Sequence, residues 1–191
     1  MPTRILALAL TFCSLLLSAC AGIAERLHGS LEPPAERGYA ILSLTGTSAN
    51  PDSATLGLDI ANASGRVVAA DSASLLTDTV FGEQGKSMAE GKLMLFTLEP
   101  GQYRVEQVWA NWLEDGAWGV SRKMRGFRLA APFEVKRGEA VYLGNVDVEM
   151  SFLPEARLRD ESERDLAHIR RIWKIKEVSG IQLRPLGEAR P

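Results

Sequence analysis

The sequence predicts a mainly β fold, an antiparallel β-sandwich of about seven or eight strands with one C-terminal amphipathic helix. Three observations support this fold class. Apolar and polar residues alternate over short runs, turn residues separate those runs, and helical periodicity is confined to the C-terminal part. The chain has 191 residues, of which 46% are hydrophobic and 24% are charged, so a single globular domain fits its length.

The first twenty residues have the layout of a secretory signal peptide. Arg4 precedes an apolar run, which ends in small residues before the chain becomes polar at Glu25. The run is shorter than the roughly 20 residues that a membrane-spanning helix needs. The sequence therefore predicts that residues 1–19 are a signal segment that is removed during export.

The end of this segment, Leu17-Ser18-Ala19-Cys20, resembles the lipobox of bacterial lipoproteins. The resemblance implies cleavage before Cys20 and attachment of lipid, including palmitate, so that acyl chains anchor the protein in membrane lipid. Cys13 lies in the removed segment, which leaves Cys20 as the single cysteine of the mature chain. Ala21 implies the outer membrane, facing the periplasm, by the sorting rule of Gram-negative lipoproteins; the inner membrane and the cell surface stay open. The alternative is an ordinary signal peptide cut near Ala19 or Ala21.

Residues 20–38 are rich in glycine and proline, so we expect the lipidated cysteine to be followed by a flexible tether. Residues 39–152 then carry the pattern of the sandwich. Within them, residues 71–91 lack clear alternation, and we interpret them as a long loop or crossover. The strand candidates are residues 39–44, 55–60, 66–70, 92–98, 102–110, 127–135, 140–143 and 146–152.

Residues 153–191 change to helical periodicity. Acidic residues precede basic ones along this segment, which agrees with the helix dipole and predicts an amphipathic helix from about 160 to 177. We expect the helix to pack on the sandwich and Ile181 with Leu183 to return as a short strand. The apolar face of the helix comprises Leu166, Ile169, Ile172 and Trp173.

Two further segments carry a second resemblance. Residues 98–105 (LEPGQYRV) contain a Pro-Gly turn and resemble the strand-turn-strand signature of transthyretin-like and carboxypeptidase-regulatory-like sandwiches. Residues 133–144 (FEVKRGEAVYLG) are similar to the closing hairpin of several uncharacterised proteobacterial lipoproteins that carry such a sandwich. The resemblance implies the fold but no particular activity, because this fold serves as an accessory, ligand-carrying or scaffold module.

The sequence contains no recognisable catalytic or metal-binding set. The motifs Gly-x-Ser-x-Gly, Ser-x-x-Lys and His-Glu-x-x-His are absent, as are the glycine patterns of nucleotide sites. His28 lies in the expected tether, and we interpret His168 as a surface residue near Asp165. We therefore predict no enzymatic activity, no metal and no cofactor apart from the lipid on Cys20. The net charge of -2 argues against a nucleic-acid partner.

A cluster of tryptophans is the most unusual local feature. Trp109 shares a strand face with Val105 and is expected in the core. Trp112 and Trp118 flank a predicted turn at residues 114–116, where they can contact a partner or ligand, or pack over the end of the sandwich. The basic patch that follows either favours an anionic partner or protects an edge strand. It comprises Arg122, Lys123, Arg125 and Arg128.

Two functional hypotheses follow from these features. The leading one is a non-catalytic interaction or scaffold module, anchored in the envelope and bound to an envelope protein. The alternative is a small-ligand or glycan-binding lipoprotein that uses the loop containing Trp112 and Trp118 for stacking. The candidate contact residues are Trp112, Trp118, Arg122, Lys123 and Arg125.

Overall fold

The structure is a computed structural model that describes residues 22–84, 88–116, 119–151 and 153–187. Its described residues are mainly β, as expected, and form two sheets. The helices are α1 (Ile23–Leu27), α2 (Ser162–Arg171) and a 3-10 turn at Pro51–Ser53. The strands are β1 (Gly38–Thr47), β2 (Thr55–Asn62), β3 (Val67–Ser74), β4 (Thr79–Phe81), β5 (Met88–Leu98), β6 (Gly101–Gly116), β7 (Gly119–Val135), β8 (Ala140–Glu149), β9 (Glu155–Arg159) and β10 (Gln182–Leu183).

The strands divide into a mixed sheet and an antiparallel sheet. Sheet A has the order β10-β8-β1-β5-β4, and β9 also pairs with β8. Strand β1 pairs antiparallel with β5 but parallel with β8, and β10 also runs parallel to β8. Sheet B has the order β3-β2-β6-β7, with antiparallel pairing throughout. The expectation of a purely antiparallel arrangement is therefore correct for sheet B and wrong for sheet A.

The two sheets share one apolar core. Leu42 and Leu44 of β1 and Leu56 and Leu58 of β2 are fully buried in it. They are alternate residues of their strands, which places them on the inner face while the intervening residues point to the other side. Because each such side chain stabilises the fold by roughly 1.5–3 kcal/mol on burial, this core is the main source of stability.

The outer face of sheet A carries a second apolar cluster, which α1 and α2 cover. Ile41 and Tyr142 of the sheet pack there with Ile169 of α2, and Leu27 of α1 is buried in the same cluster. Ile23, Leu27 and Leu31 therefore pack against the sheet, within the segment expected to be part of a flexible tether over residues 20–38. The reason is that this segment, despite its breakers, has apolar side chains that reach the sheet.

The described strands outnumber the expected seven or eight, because short strands occur where none was predicted. Residues 71–91, expected to be a loop, contain β4 together with parts of β3 and β5. Helix α2 covers residues 162–171 and is shorter than the expected 160–177. Strand β10 confirms the expected return at residues 181–183. Neither helix in the described part of the chain is long and apolar enough to cross a membrane.

A β-bulge in β6 reverses the faces of its side chains. Val105 and Gln107 pair with adjacent residues of β2, which leaves Glu106 as an extra residue between them. One extra residue moves every later side chain to the other face of the sheet. Trp112 therefore faces the core, whereas Trp109, expected in the core, is only half-buried on the opposite face.

Candidate functional site

The hairpin of β6 and β7 extends beyond the rest of sheet B. Pairing between β2 and β6 stops at Thr55 and Asn111, but β6 and β7 continue to pair as far as Gly116 and Gly119. Trp112 still packs in the core and the backbone N–H of Leu113 donates a hydrogen bond to Ser53, so the projecting part is residues 114–116 and 119–121, which we call the arm. The expected turn at residues 114–116 is instead the last part of β6.

The first ten residues of β7, Gly119–Arg128, run from the arm into the adjoining part of sheet B. We call them the basic segment because they carry four cations. All of them are exposed except Phe127, which is half-buried. The segment contains no acidic residue. Its four cations are Arg122, Lys123, Arg125 and Arg128.

Two of these four cations have acidic neighbours. Lys123 Nζ lies 3.2 Å from a carboxylate oxygen of Glu114, and Arg128 Nε lies 3.4 Å from one of Glu106. A hydrogen bond from Arg104, supplemented by the charge of Arg128, holds the pKa of Glu106 below its ordinary value. Glu114 and Glu106 are therefore each already paired with a cation of the basic segment.

The other two cations, Arg122 and Arg125, have no acidic partner in the described part of the chain. Arg122 Nη1 donates a hydrogen bond of 2.8 Å to the side-chain oxygen of Asn111 and remains exposed. Val120 and Met124, which are 63% and 72% exposed, lie on the same strand face as Arg122 by alternation. This face therefore combines exposed apolar side chains with an unneutralised charge, a composition typical of surfaces that bind other proteins.

The two tryptophans proposed as contact residues have different positions. Trp112 is only 4% exposed and packs in the core between the sheets. Its indole Nε1 is buried and has no hydrogen-bond partner among the described residues. Of the two roles open for Trp112, this burial supports packing. Trp118 lies outside the described residues, as does Cys20.

A cluster of buried polar side chains lies between α2 and the outer face of sheet A, and sequence reasoning did not find it. Asp165 has no exposed surface, and one of its oxygens accepts hydrogen bonds from Ser43 at 2.5 Å and from Tyr142 at 2.7 Å. Its other oxygen accepts one from Arg164 Nε at 2.8 Å. Burial, together with the charge of Asp165, raises the pKa of Tyr142, so its phenol remains a donor. The cluster joins α2 to β1 and β8.

This buried cluster borders an open polar groove of about 720 Å³ at the end of β1. Thr45 donates a hydrogen bond of 3.1 Å to the side-chain oxygen of Asn145, and Arg164 also lines the groove. Ser43, the hydroxyl next to the carboxylate, is fully buried and cannot meet a molecule in the groove. The arrangement thus stabilises the packing of α2 and does not present an activated nucleophile.

His168 is buried, with 6% exposure, so the expectation of a surface histidine was wrong. Its Nδ1 accepts a hydrogen bond of 3.0 Å from the backbone N–H of Phe81 in β4, and the imidazole lies edge-on to Trp173. Burial, with smaller contributions from Arg164 and Arg171, lowers its pKa to about 4. The imidazole is therefore neutral at pH 7 and connects α2 to β4.

A second groove, of about 560 Å³, lies on the outer face of sheet A beside the first described residue, Gly22. It separates α1 from β4, β5 and the end of α2. Its apolar lining comprises Ile23, Phe81, Leu93, Leu95, Ile172 and Trp173.

The described ranges also show no group of three or more His, Cys, Asp or Glu side chains that is placed to hold a metal ion.

No protein-family model matches this chain, and no curated protein matches it. A leucine-rich repeat protein from Bacteroides thetaiotaomicron VPI-5482 is similar in structure over 61% of this chain, with 14% identity and a TM-score of 0.36. The match spans 14% of that protein. A similarity this low carries no argument about function.

Proposed function

We propose that this chain is a lipid-anchored lipoprotein of the bacterial envelope, in which a non-catalytic β-sandwich presents the arm and the basic segment to a protein partner. One observation carries the proposal: the basic segment is exposed on both faces of its strand and has two cations without acidic neighbours among the described residues. Charged and apolar side chains kept exposed in this way favour binding to a complementary surface.

The proposed anchor rests on the lipobox-like residues Leu17-Ser18-Ala19-Cys20. Acyl chains on Cys20 would add roughly 0.8 kcal/mol of membrane affinity per buried methylene. Ala21 favours the outer membrane, facing the periplasm. Because Ile23, Leu27 and Leu31 pack on sheet A, the folded domain would be held close to the bilayer.

Gly22, the first described residue after the proposed anchor, and the arm lie on different sides of the fold. The groove beside Gly22 is lined by β4, β5 and a residue of β3, at one edge of the two sheets. Lys92 of β5 forms an ion pair of 2.8 Å with Asp71 of β3 at that same edge. Strand β7 is at the opposite edge of sheet B. The anchored protein would thus keep the basic segment away from its own attachment point and accessible to a partner.

A photo-crosslinking amino acid at position 121 tests the partner proposal in cells. Ser121 is an exposed residue of the arm, and Ser72 on β3 is an exposed control at the other edge of the same sheet. We expect a covalent protein adduct from position 121 and none from position 72. Equal adducts from both positions, or none from position 121, would contradict the proposal.

Charge variants make the crosslinking test specific. Replacing Arg122 and Arg125 together by glutamine should abolish the adduct from position 121. The matched control replaces two other exposed cations, Arg66 and Lys176, by glutamine and should leave the adduct unchanged. An adduct to glycan in place of protein would instead favour the small-ligand or glycan-binding alternative, in which Trp118 would supply the stacking surface because Trp112 is buried.

Cell fractionation tests the anchor independently of the partner. Cys20→Ser should leave the protein uncleaved or move it to the soluble fraction, because serine cannot form the thioether. Cys13→Ser removes the other cysteine of the chain and should leave both processing and membrane attachment unchanged. Normal processing and attachment of the Cys20→Ser protein would refute the lipoprotein proposal.

A further inference from the structure

Strand β7 has a free edge along the basic segment. It is the last strand of sheet B, and the described residues place no other strand beside it. An edge strand leaves half of its backbone N–H and C=O groups available for pairing with another chain. The ten residues of the basic segment would offer about 33 Å of such edge.

The edge is regular only over the basic segment. Ala130 has a φ of 49°, in the left-handed region, at the point where the pairing of β6 with β7 shifts register. Pro132 follows in the same strand and has no backbone N–H to donate. A strand added to β7 would therefore end near Arg128, which is also where the run of basic residues ends.

The charge of the basic segment argues against a second copy of this chain as the added strand. Antiparallel pairing of two basic segments would bring basic residues of the two copies opposite one another in most registers, and like charges directly opposite are destabilising. An acidic strand would instead place carboxylates beside Arg122 and Arg125, which lack acidic neighbours in the described residues.

We propose that the free edge of β7, along Gly119–Arg128, binds an extended acidic segment of a partner protein as an added antiparallel strand. Backbone hydrogen bonds would supply the affinity. Arg122 and Arg125 are three residues apart and therefore lie on opposite faces of β7, so each would select a carboxylate on its own face. The inference rests on the proposed function for the choice of a protein partner. It adds that the partner segment is extended and acidic.

Fluorescent peptides test the added strand on the full mature protein. The first probe is the eight-residue peptide Glu-Val-Glu-Val-Val-Glu-Val-Glu, which presents carboxylates on both faces of an added strand. The second replaces each Glu by Gln, and the third keeps every Glu but has Pro at one central Val, which blocks strand pairing without changing the charge. We expect the first peptide to bind at least ten-fold more tightly than either control, by fluorescence anisotropy. Hydrogen exchange of the backbone amides in residues 119–128 should slow only with the first peptide.

Variants of the protein complete the test. Arg122→Gln with Arg125→Gln should weaken binding of the acidic peptide at least ten-fold, whereas Arg66→Gln with Lys176→Gln should not. Equal binding of the proline-containing peptide, protection of another strand, or no binding would overturn the inference. Vesicles of phosphatidylglycerol that protect residues 119–128 when the acidic peptide does not would assign the edge to lipid, which also overturns it.

This experiment separates the inference from the proposed function. A protein adduct from position 121 in cells, without binding of the acidic peptide, would leave the interaction module standing and refute the acidic strand. Binding of the acidic peptide without an adduct in cells would support the addition of an acidic strand to β7. It would refute the proposal that this surface binds a protein partner in the envelope.

Discussion

The hydroxyl oxygen of Ser43 lies 2.5 Å from a carboxylate oxygen of Asp165, although 122 positions separate the two residues. Both side chains are fully buried. Arg164 also donates a hydrogen bond of 3.0 Å to Ser43, so the carboxylate, the hydroxyl and the guanidinium form one closed cluster. This cluster fixes the first turn of α2 on the centre of β1, next to the apolar contacts of the outer layer.

Asp165→Asn should destabilise the fold strongly. The substitution keeps the shape of the side chain but removes the charge that compensates Arg164, and breaking a buried ion pair typically costs about 3–5 kcal/mol. We expect the free energy of unfolding in urea to fall by about that amount. The control Asp52→Asn changes an exposed carboxylate and should shift stability by no more than about 0.5 kcal/mol. Equal effects of the two substitutions would show that the buried cluster contributes little.

The stability of the protein should fall as the pH drops from about 6.5 to about 4 because of His168. Its pKa is lowered from 6.5 in the unfolded chain to about 4 in the folded one, so the unfolded chain binds a proton first. The contribution of neutral His168 is complete above pH 6.5 and declines below it. A shift of this size corresponds to a loss on the order of 3 kcal/mol at the acid end.

Urea unfolding at pH 7.5 and at pH 4.5 measures this loss. His168→Asn should lower stability at the higher pH but flatten the pH dependence, because it removes the titrating ring while an amide oxygen can still accept the hydrogen bond from Phe81. His28 is exposed, so His28→Asn should leave the wild-type pH dependence intact. A His168→Asn protein as pH-sensitive as the wild type would place the dependence on the carboxylates.

The sequence pattern predicts most strands because their alternation repeats over several residues, but it cannot show where the alternation is interrupted. Glu106 is unpaired relative to β2, and this single bulge is enough to exchange the environments of Trp109 and Trp112. Whether a residue bulges depends on pairing with distant strands, and the local sequence does not encode this pairing in its alternation. For this reason Trp112, which the sequence offered as a candidate contact residue, is buried in the core.

The buried cluster escaped prediction for a different reason. Asp165 and His168 are polar residues of α2, and the apolar periodicity of a helix predicts burial only for its apolar side chains. Their burial depends on Ser43, Tyr142 and Phe81, which come from three other elements and satisfy their hydrogen bonds. The basic segment, in contrast, was predicted as a patch, because its four charges lie within seven consecutive residues and need no distant partner to be exposed.

Gly91→Ala should destabilise the pairing of β1 with β5. Gly91 has a φ of 136°, and a Cβ at this position would collide with the backbone carbonyl of Leu44 in the adjacent strand. The sheet must move to admit a methyl group there, so we expect a loss of about 1–3 kcal/mol in the free energy of unfolding. At Gly126 a Cβ would meet nothing within 4 Å, so Gly126→Ala should be close to neutral. Similar melting temperatures for the two variants would contradict this account.

Substitutions of Trp112 should separate its packing role from a role in partner contact. Trp112→Ala would leave a large cavity between the sheets and should cost about 3–5 kcal/mol of unfolding free energy. Trp112→Phe keeps most of the apolar volume and removes an indole N–H that has no hydrogen-bond partner among the described residues, so it should cost less than about 2 kcal/mol.

The crosslink from position 121 provides the second measurement on these variants. A buried Trp112 predicts that the Trp112→Phe protein, still folded, forms the same adduct as the wild type. If the indole contacted the partner directly, Trp112→Phe would lose the adduct while urea unfolding stayed almost unchanged. Val120→Ala is the matched change at an exposed residue of the arm, and it should lower the adduct yield without altering stability, because Val120 contributes little to the core.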